Sequence, residues 1–282
     1  MNMKVIIAGV AVAVCGWSTV LAQPAEQFGD CQVTGAAGSI KFTPLQEETL
    51  VVTTVLPSPG WWNGMRPDDI KSGFEYCLAA QIAHRAGLSR VEVRNVAWDQ
   101  FISGAASGYD IAMAAVTITD ERRAVMDFSA PYFASNLGVA IRAGDDVSSE
   151  NIRAKRIGVL QGNMGAEWVM NTLKPDNQPF LFQSQADAVT ALTAKQVDAV
   201  ITDTALTLTA VKASNGALVV PGQFKLGQSY GVVLPKGSPN LNAVDEAVTS
   251  MQSDGSIADL TRQYLAPLFG GNPDEVPFWE AK

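Results

Sequence analysis

Short β-branched runs alternate with amphipathic stretches along most of the chain. Leu50-Val-Val-Thr-Thr-Val55 is brief, apolar and β-branched, the pattern of a buried strand. Phe74, Leu78 and Ile82 fall at i, i+4 and i+8 with Gly87 beyond them, which predicts a helix over 74–86 and its stop. A strand is predicted at 91–96. Trp98, Phe101, Ile102 and Ala105 share one face of a short helix over 98–106, and Ile111, Met113 and Ala115 alternate along a strand over 109–116. Further strands are predicted at 137–142, 156–160, 197–202 and 230–234, and helices at 165–173, 185–195 and 204–213. Residues 240–265 give two helices broken at Asp254-Gly255. Strands alternating with helices over short loops describe an α/β fold with mainly parallel sheets, whose ligands sit at the carboxyl ends of strands.

The first residues follow a different pattern. In residues 1–22 Lys4 is the only charge, residues 5–14 are apolar or Gly, and Val20-Leu21-Ala22 precedes Gln23. This reads as a secretory signal cleaved after Ala22, with an apolar stretch too short for a hydrocarbon core of about 30 Å. A retained anchor is the rival reading. A lipoprotein would use Cys15, where Val14 stands in the place of the usual Gly or Ala. No later apolar run reaches the ~18 residues of a membrane span, so the expectation is a protein exported to a periplasm. Residues 23–45, with Cys31 and three glycines, read as an arm.

Export bears on the cysteines. Without the signal, Cys31 and Cys77 remain, and in an oxidising compartment they are expected to pair. The other reading keeps Cys77 as a buried helix residue and Cys31 as a free thiol. The single His, His84, lies on the helix over 74–86 as a surface or half-buried residue, and with two distant Cys it gives no metal-ligand spacing.

Composition narrows the function classes. At 282 residues and 47% hydrophobic the chain can build a core without staples, which rules out disorder for its body. A net charge of −8, with no run of five basic residues, argues against a nucleic-acid groove or an anionic-membrane patch. Gly158-Val-Leu-Gln-Gly162-Asn-Met-Gly165 lacks the dinucleotide spacing and any Lys-Ser/Thr, so no nucleotide cofactor is implied. Its N–H groups at a helix start still suit an anion such as a carboxylate. No hydrolase elbow is visible, and one His supports no Ser-His arrangement.

Four stretches carry a resemblance. They are Gly73-Phe-Glu-Tyr-Cys-Leu78, then Tyr109-Asp-Ile-Ala-Met-Ala-Ala-Val-Thr-Ile-Thr-Asp-Glu-Arg122 continuing to Asp127-Phe-Ser-Ala-Pro-Tyr132, then Val197-Asp-Ala-Val-Ile-Thr-Asp203, and finally Pro235-Lys-Gly-Ser through Asp254-Gly-Ser-Ile-Ala to Tyr264. In this order, over about residues 46–266, the chain resembles the family-3 extracytoplasmic solute-binding proteins, the amino-acid receptors of ABC importers. The resemblance implies a type II periplasmic-binding-protein fold of two α/β lobes joined by two crossing strands. Lobe 1 would take 46–135 plus 231–270, lobe 2 would take 136–230, and 271–282 would be a C-terminal tail. The crossings would lie near Tyr132–Asn136 and Leu226–Tyr230.

A zwitterion buried in a closed cleft needs a cation for its carboxylate and an anion for its ammonium, because unpaired buried charge is expensive. Arg122 offers a planar fork for a carboxylate and aligns with the family's carboxylate-binding arginine. Asp203, which also reads as a helix N-cap, aligns with the acid that takes the ammonium. The Thr117 hydroxyl and N–H and the Ala115 carbonyl would complete the head-group site, with Asn163 and Met164 offering N–H groups from lobe 2. Trp98 aligns with an aromatic that flanks the ligand side chain. In the Trp61-Trp62 loop at most one ring is expected to face the ligand, the other reading being partial exposure on the lobe surface. Thr54 stands where receptors for basic amino acids carry Asp, which weakens a lysine or arginine reading. Glu75 replaces the first Asp of the helix motif and is a possible partner for a cationic side chain. The implied protein is a non-catalytic monomer with no cofactor, delivering an amino acid to an ABC permease. A cyclohexadienyl-dehydratase-like enzyme, a diffusible signalling receptor and an opine receptor are the competing readings.

Overall fold

The computed structural model describes residues 28–270 and 273–281. The expected signal segment 1–22, its cleavage site and Cys15 lie outside the described residues. Strands β1 (Thr49–Thr54), β2 (Arg90–Asn95), β3 (Ile111–Ala112), β4 (Met126–Arg142), β5 (Ile157–Leu160), β6 (Phe180–Phe182), β7 (Ala199–Asp203) and β8 (Leu218–Pro235) lie in the order β2-β1-β3-β8-β4-β7-β5-β6. A last strand, β9 (Phe278–Trp279), pairs with β8. The expectation of mainly parallel sheets holds only at the flanks. β1–β2, β1–β3, β5–β6 and β5–β7 are parallel, whereas β3–β8, β4–β7 and the long β4–β8 ladder are antiparallel.

Two lobes share this sheet. One carries β1–β3 with helices α1 (Phe74–Arg85), α2 (Trp98–Ile102) and α3 (Asp120–Arg123). The other carries β5–β7 with α4 (Met164–Trp168), α5 (Gln185–Thr193) and α6 (Thr204–Ala213). Strands β4 and β8 thread both, and α7 (Leu241–Ser253), α8 (Ser256–Leu260) and α9 (Ala266–Phe269) return the chain to the first lobe, where α7 and α8 pack on α1. One core gathers Leu50, Val52, Phe74, Leu78 and Ile82 with Val244 and Val248. A separate one gathers Leu137, Val139, Ile157, Val159 and Ile201.

Several strand and helix ends differ from the sequence reading, each for a local reason. The strands expected at 137–142 and 230–234 are the ends of β4, 17 residues long, and β8, 18 residues long. Pro131 in one, Pro221 and Gly227 in the other, and register shifts around Pro131 and Ser135 break their alternation. The strand over 109–116 keeps only Ile111–Ala112, because the chain turns at Ala115, whose φ is +50°. The helix over 98–106 ends at Ile102. Those over 165–173 and 255–265 widen into π turns at Val169–Leu173 and Thr261–Leu265.

Both ends of the described chain are tied down. Cys31 and Cys77 form a disulfide with a Cα–Cα distance of 5.3 Å, fastening the arm to α1. Along the same helix the Ile40 N–H donates to the Arg85 carbonyl (2.9 Å) and the Thr34 N–H to Gln81 Oε1 (3.0 Å). The segment expected as a tail adds β9 alongside Gln223 and Phe224. Gln223 Nε2 donates to the Pro273 and Val276 carbonyls at 2.9 Å each. The Trp279 ring lies so close over Gly222 that a Cβ there would come within 2.1 Å of it.

Candidate ligand-binding site

Arg122 owes its place to a short helix. The Thr119 hydroxyl caps α3 by accepting from the Arg122 N–H (3.1 Å), and the guanidinium turns inward, leaving the residue 8% exposed. Nη1 donates to the Thr117 carbonyl at 2.8 Å, and Nη2 crosses between the lobes to the Gly162 carbonyl at 3.0 Å. The guanidinium carbon sits 5.5 Å from the centroid of the Trp98 ring. Burial pulls the guanidinium pKa down, opposed by the nearby Asp203, Glu121 and Glu167 carboxylates. Trp98, half-buried, makes a second bond between lobes from Nε1 to the Gln161 carbonyl (3.0 Å).

Asp203 ends β7 and stands at the N-cap position of α6, but its carboxylate does not cap that helix. It is fully buried and accepts instead from Asn163 Nδ2 (2.9 Å) and the Tyr230 hydroxyl (2.6 Å). Burial first, and the Asp203 charge next, hold the Tyr230 phenol pKa well above its ordinary value, so it remains a donor. Asn163 differs from its expected role as an N–H donor. Its own N–H goes to the Leu160 carbonyl (3.1 Å), and its side chain caps α4 through the Gly165 N–H (2.7 Å) while steadying Asp203. Met164, half-buried, begins α4, where an N–H has no partner within the helix. Arg122, Gly162, Asn163, Met164, Glu121 and Glu167 all border a cavity of about 210 Å³ at the cleft.

Thr117 presents its carbonyl to Arg122 and donates its hydroxyl to Gln228 Oε1 (2.7 Å). Gln228 is buried, and its Nε2 has no partner among the described residues. Ala115 follows in the same turn, its N–H donating to Glu75 Oε1 at 2.8 Å. The structure therefore gathers Arg122, Thr117, Trp98, Asn163 and Asp203 into one connected cluster, with Ala115 tied to its edge and Met164 on the cavity rim.

Two residues are placed differently from the expectation. Among the described residues Glu75 has no cationic partner. It is fully buried and accepts from Trp62 Nε1 (2.6 Å), the Ala115 N–H and the Tyr132 hydroxyl. Burial pushes its pKa up, against those three donors. Partial exposure, the alternative reading of the loop tryptophans, does not hold, since Trp61 and Trp62 are both fully buried. Trp61 packs edge-on against Phe74, Phe133 and Tyr230 at 5.2–5.9 Å between centroids, and its Nε1 has no partner. Sequence reasoning missed Tyr230, Gln228 and Tyr132 as site residues. The one available signal was the two-residue spacing that puts Gln228 and Tyr230 on the same face of β8.

The model of the bacterial extracellular solute-binding proteins, family 3, matches residues 62–267. The chain belongs to that family. This solute-binding protein is 30% identical over 210 residues to the L-cystine-binding protein TcyJ of Escherichia coli (strain K12), covering 70% of this chain and 76% of that one. Among solved structures it is similar to an ancestral arginine-binding protein bound to arginine, with TM-score 0.69 and 30% identity over 77% of this chain and 98% of that one. It is also similar to AncCDT-1, an ancestral amino-acid-binding protein described as a precursor of cyclohexadienyl dehydratase (TM-score 0.67, 25% identity, 77% of this chain and 95% of that one). The two lobes around a shared pair of long strands are the architecture of these binding proteins.

Proposed function

We propose that this protein is an exported, monomeric, non-catalytic receptor that holds an α-amino acid between its lobes and passes it to the permease of an ABC importer. One observation supports the reading: a buried guanidinium and a buried carboxylate are held by adjacent residues of one turn, Arg122 bonding the Gly162 carbonyl and Asp203 accepting from Asn163, close enough for the Asp203 charge to act on Arg122. Opposite charges held near one another, each bonded to neutral partners, suit the two ends of a zwitterion. In this reading the ligand carboxylate replaces the Gly162 carbonyl on the Arg122 fork, with the Met164 N–H beside it. The ammonium joins Asp203, the Ala115 carbonyl and the Thr117 oxygen, and Trp98 flanks the side chain. Lobe 1 comprises 46–135 plus 231–270 and lobe 2 comprises 136–230, moving about the bulged middle of the β4–β8 ladder. Cystine and arginine, named for the relatives, share this head group and differ beyond it.

The competing enzymatic reading needs a general acid at the leaving hydroxyl. Glu75, the candidate for it, is enclosed by three donors and has no exposed surface. Mature protein 23–282, washed in denaturant and refolded, is to be screened by thermal shift against L-amino acids and against prephenate and arogenate. A ligand at 1,000 times its Kd adds about 4 kcal/mol, a shift of several degrees. A shift with one chemical class of amino acid, and no product absorbance from prephenate or arogenate, is the expected result. No shift from any amino acid in folded protein would overturn the reading.

A further inference from the structure

Glu75 is a carboxylate without exposed surface, and such groups are seldom buried unless paired. Among the described residues it has no cationic partner. Three neutral donors reach it from separate parts of the first lobe: Trp62 from the loop after β1, Ala115 from the turn after β3, and Tyr132 from β4. Its position in the first turn of α1 adds the favourable end of the helix dipole. The bond to Ala115 holds a non-glycine residue at a φ of +50°, a left-handed conformation that residues with a Cβ seldom adopt. That turn is the one that delivers Thr117 to Arg122 and Gln228.

With Glu75 engaged in this way, the supply of buried anions can be counted. Glu75, Asp110 and Asp203 are the buried acids among the described residues. Asp110 accepts from the Leu45 and Val51 N–H groups and so braces β1. Asp203 is the ammonium partner in the reading above. Glu121 and Glu167 are solvent-exposed at the cavity beside Arg122, where water and salt screen an ion pair to little net worth. No buried anion is left for a second positive charge. Besides the Thr54 hydroxyl at the end of β1, two buried donors beside the head-group cluster have no partner among the described residues: Trp61 Nε1 and Gln228 Nε2, on residues that pack against Tyr230 and bond Thr117 respectively. Unmatched donors favour a ligand that brings acceptors, and a buried unpaired ammonium or guanidinium is strongly disfavoured.

Resting on the receptor reading, we propose that Glu75 is a positioning residue that sets the Ala115–Thr117 turn, and that the site selects amino acids with neutral, hydrogen-bond-accepting side chains over lysine and arginine. The first test is calorimetry of denaturant-washed wild-type protein with glutamine, asparagine, serine, methionine, cystine, lysine, arginine and ornithine. The tightest ligand is expected in the neutral group, with lysine and arginine at least tenfold weaker. Binding led by lysine or arginine and abolished in Arg122→Ala would overturn this inference and leave the receptor reading intact. No binding by any of them would overturn the receptor reading itself.

The second test separates positioning from a counter-ion role. In Glu75→Gln the Ala115 amide and Trp62 indole proton resonances are expected to move upfield as their carboxylate bonds are lost, with a folded spectrum. Neutral and cationic ligands should weaken together, by tenfold or more. Weakening confined to cationic ligands, or unmoved resonances, would refute positioning. Trp62→Phe, which deletes one donor and keeps the ring, is read in the same way if Glu75→Gln does not fold.

Discussion

Removing the Arg122 guanidinium is the perturbation whose size follows most directly from the geometry. The group makes two N–H bonds, at 2.8 and 3.0 Å, in a site that leaves the residue 8% exposed. Hydrogen bonds involving a charged group contribute about 1.5–3 kcal/mol each. Truncating one member of a buried charge pair costs about 2–5 kcal/mol, much of it from the partner left unpaired. Arg122→Ala should therefore weaken amino-acid binding by about 3–5 kcal/mol, roughly 100- to 4,000-fold. Arg122→Lys keeps the charge but loses the planar fork and the stacking on Trp98, and should fall between wild type and alanine. The neighbouring Arg123, exposed and directed over the Phe128 ring, is the control: Arg123→Ala should bind as wild type does. Calorimetric titration of denaturant-washed protein measures all three, with ligand-free melting curves to show that each variant folds. Arg122→Ala binding within threefold of wild type would refute the assignment of the carboxylate anchor.

Three further outcomes follow from other parts of the molecule. The Cys31–Cys77 disulfide closes a loop of 46 residues in sequence, so its removal by a double Cys→Ala variant should cost about 3–4 kcal/mol in chemical denaturation; a loss below about 1 kcal/mol would show that the arm holds without it. Asp198 is held at a pKa of about 2, first by its side-chain bonds to Arg156, and this depressed value contributes stability that is present above the unfolded carboxylate pKa of about 3.9 and lost as pH falls from there through 2. Asp198→Asn should flatten that acid limb by about 1 kcal/mol, a figure kept small because Arg156 is half exposed, and an unchanged limb would contradict it. Gly222→Ala should push Trp279 off β8, read as faster proteolysis after residue 270 and a shifted Trp fluorescence, with no change expected in Arg122-dependent binding.

Periodicity makes the elements of each lobe legible but not the strands that join them, whose crossings near Tyr132–Asn136 and Leu226–Tyr230 are implied only by the family resemblance. Helix Thr204–Ala213 has its expected bounds although its apolar residues face two cores, Ala205 and Leu208 the one with Phe74, and Val211 the one with Leu192 and Val200. The alternation shows only about a third or less of β4 and β8, 137–142 of one and 230–234 of the other, since strands that pass from one core to the next change the face they bury, and the bulges near Pro131 and Ser135 reset the alternation. Arg122 and Asp203 could be singled out by charge type and motif. Tyr230 could not, because an apolar-looking Tyr in Ser-Tyr-Gly-Val-Val carries no mark of the carboxylate it meets 27 residues upstream. Glu75 was read as a ligand partner because sequence shows a charge and not the three neutral donors that enclose it. Trp61 and Trp62 misled for a related reason: a Pro- and Gly-rich loop suggests exposure, yet both rings fold under it.

The central claim is that Arg122 holds the ligand's carboxylate while Asp203 holds its ammonium. A thermodynamic cycle tests it most directly: the tightest-binding amino acid and its decarboxylated amine are each titrated into wild type and Arg122→Ala. Wild type should favour the amino acid by at least tenfold, and in Arg122→Ala the two ligands should bind alike. Discrimination of tenfold or more persisting in Arg122→Ala would mean that another group holds the carboxylate.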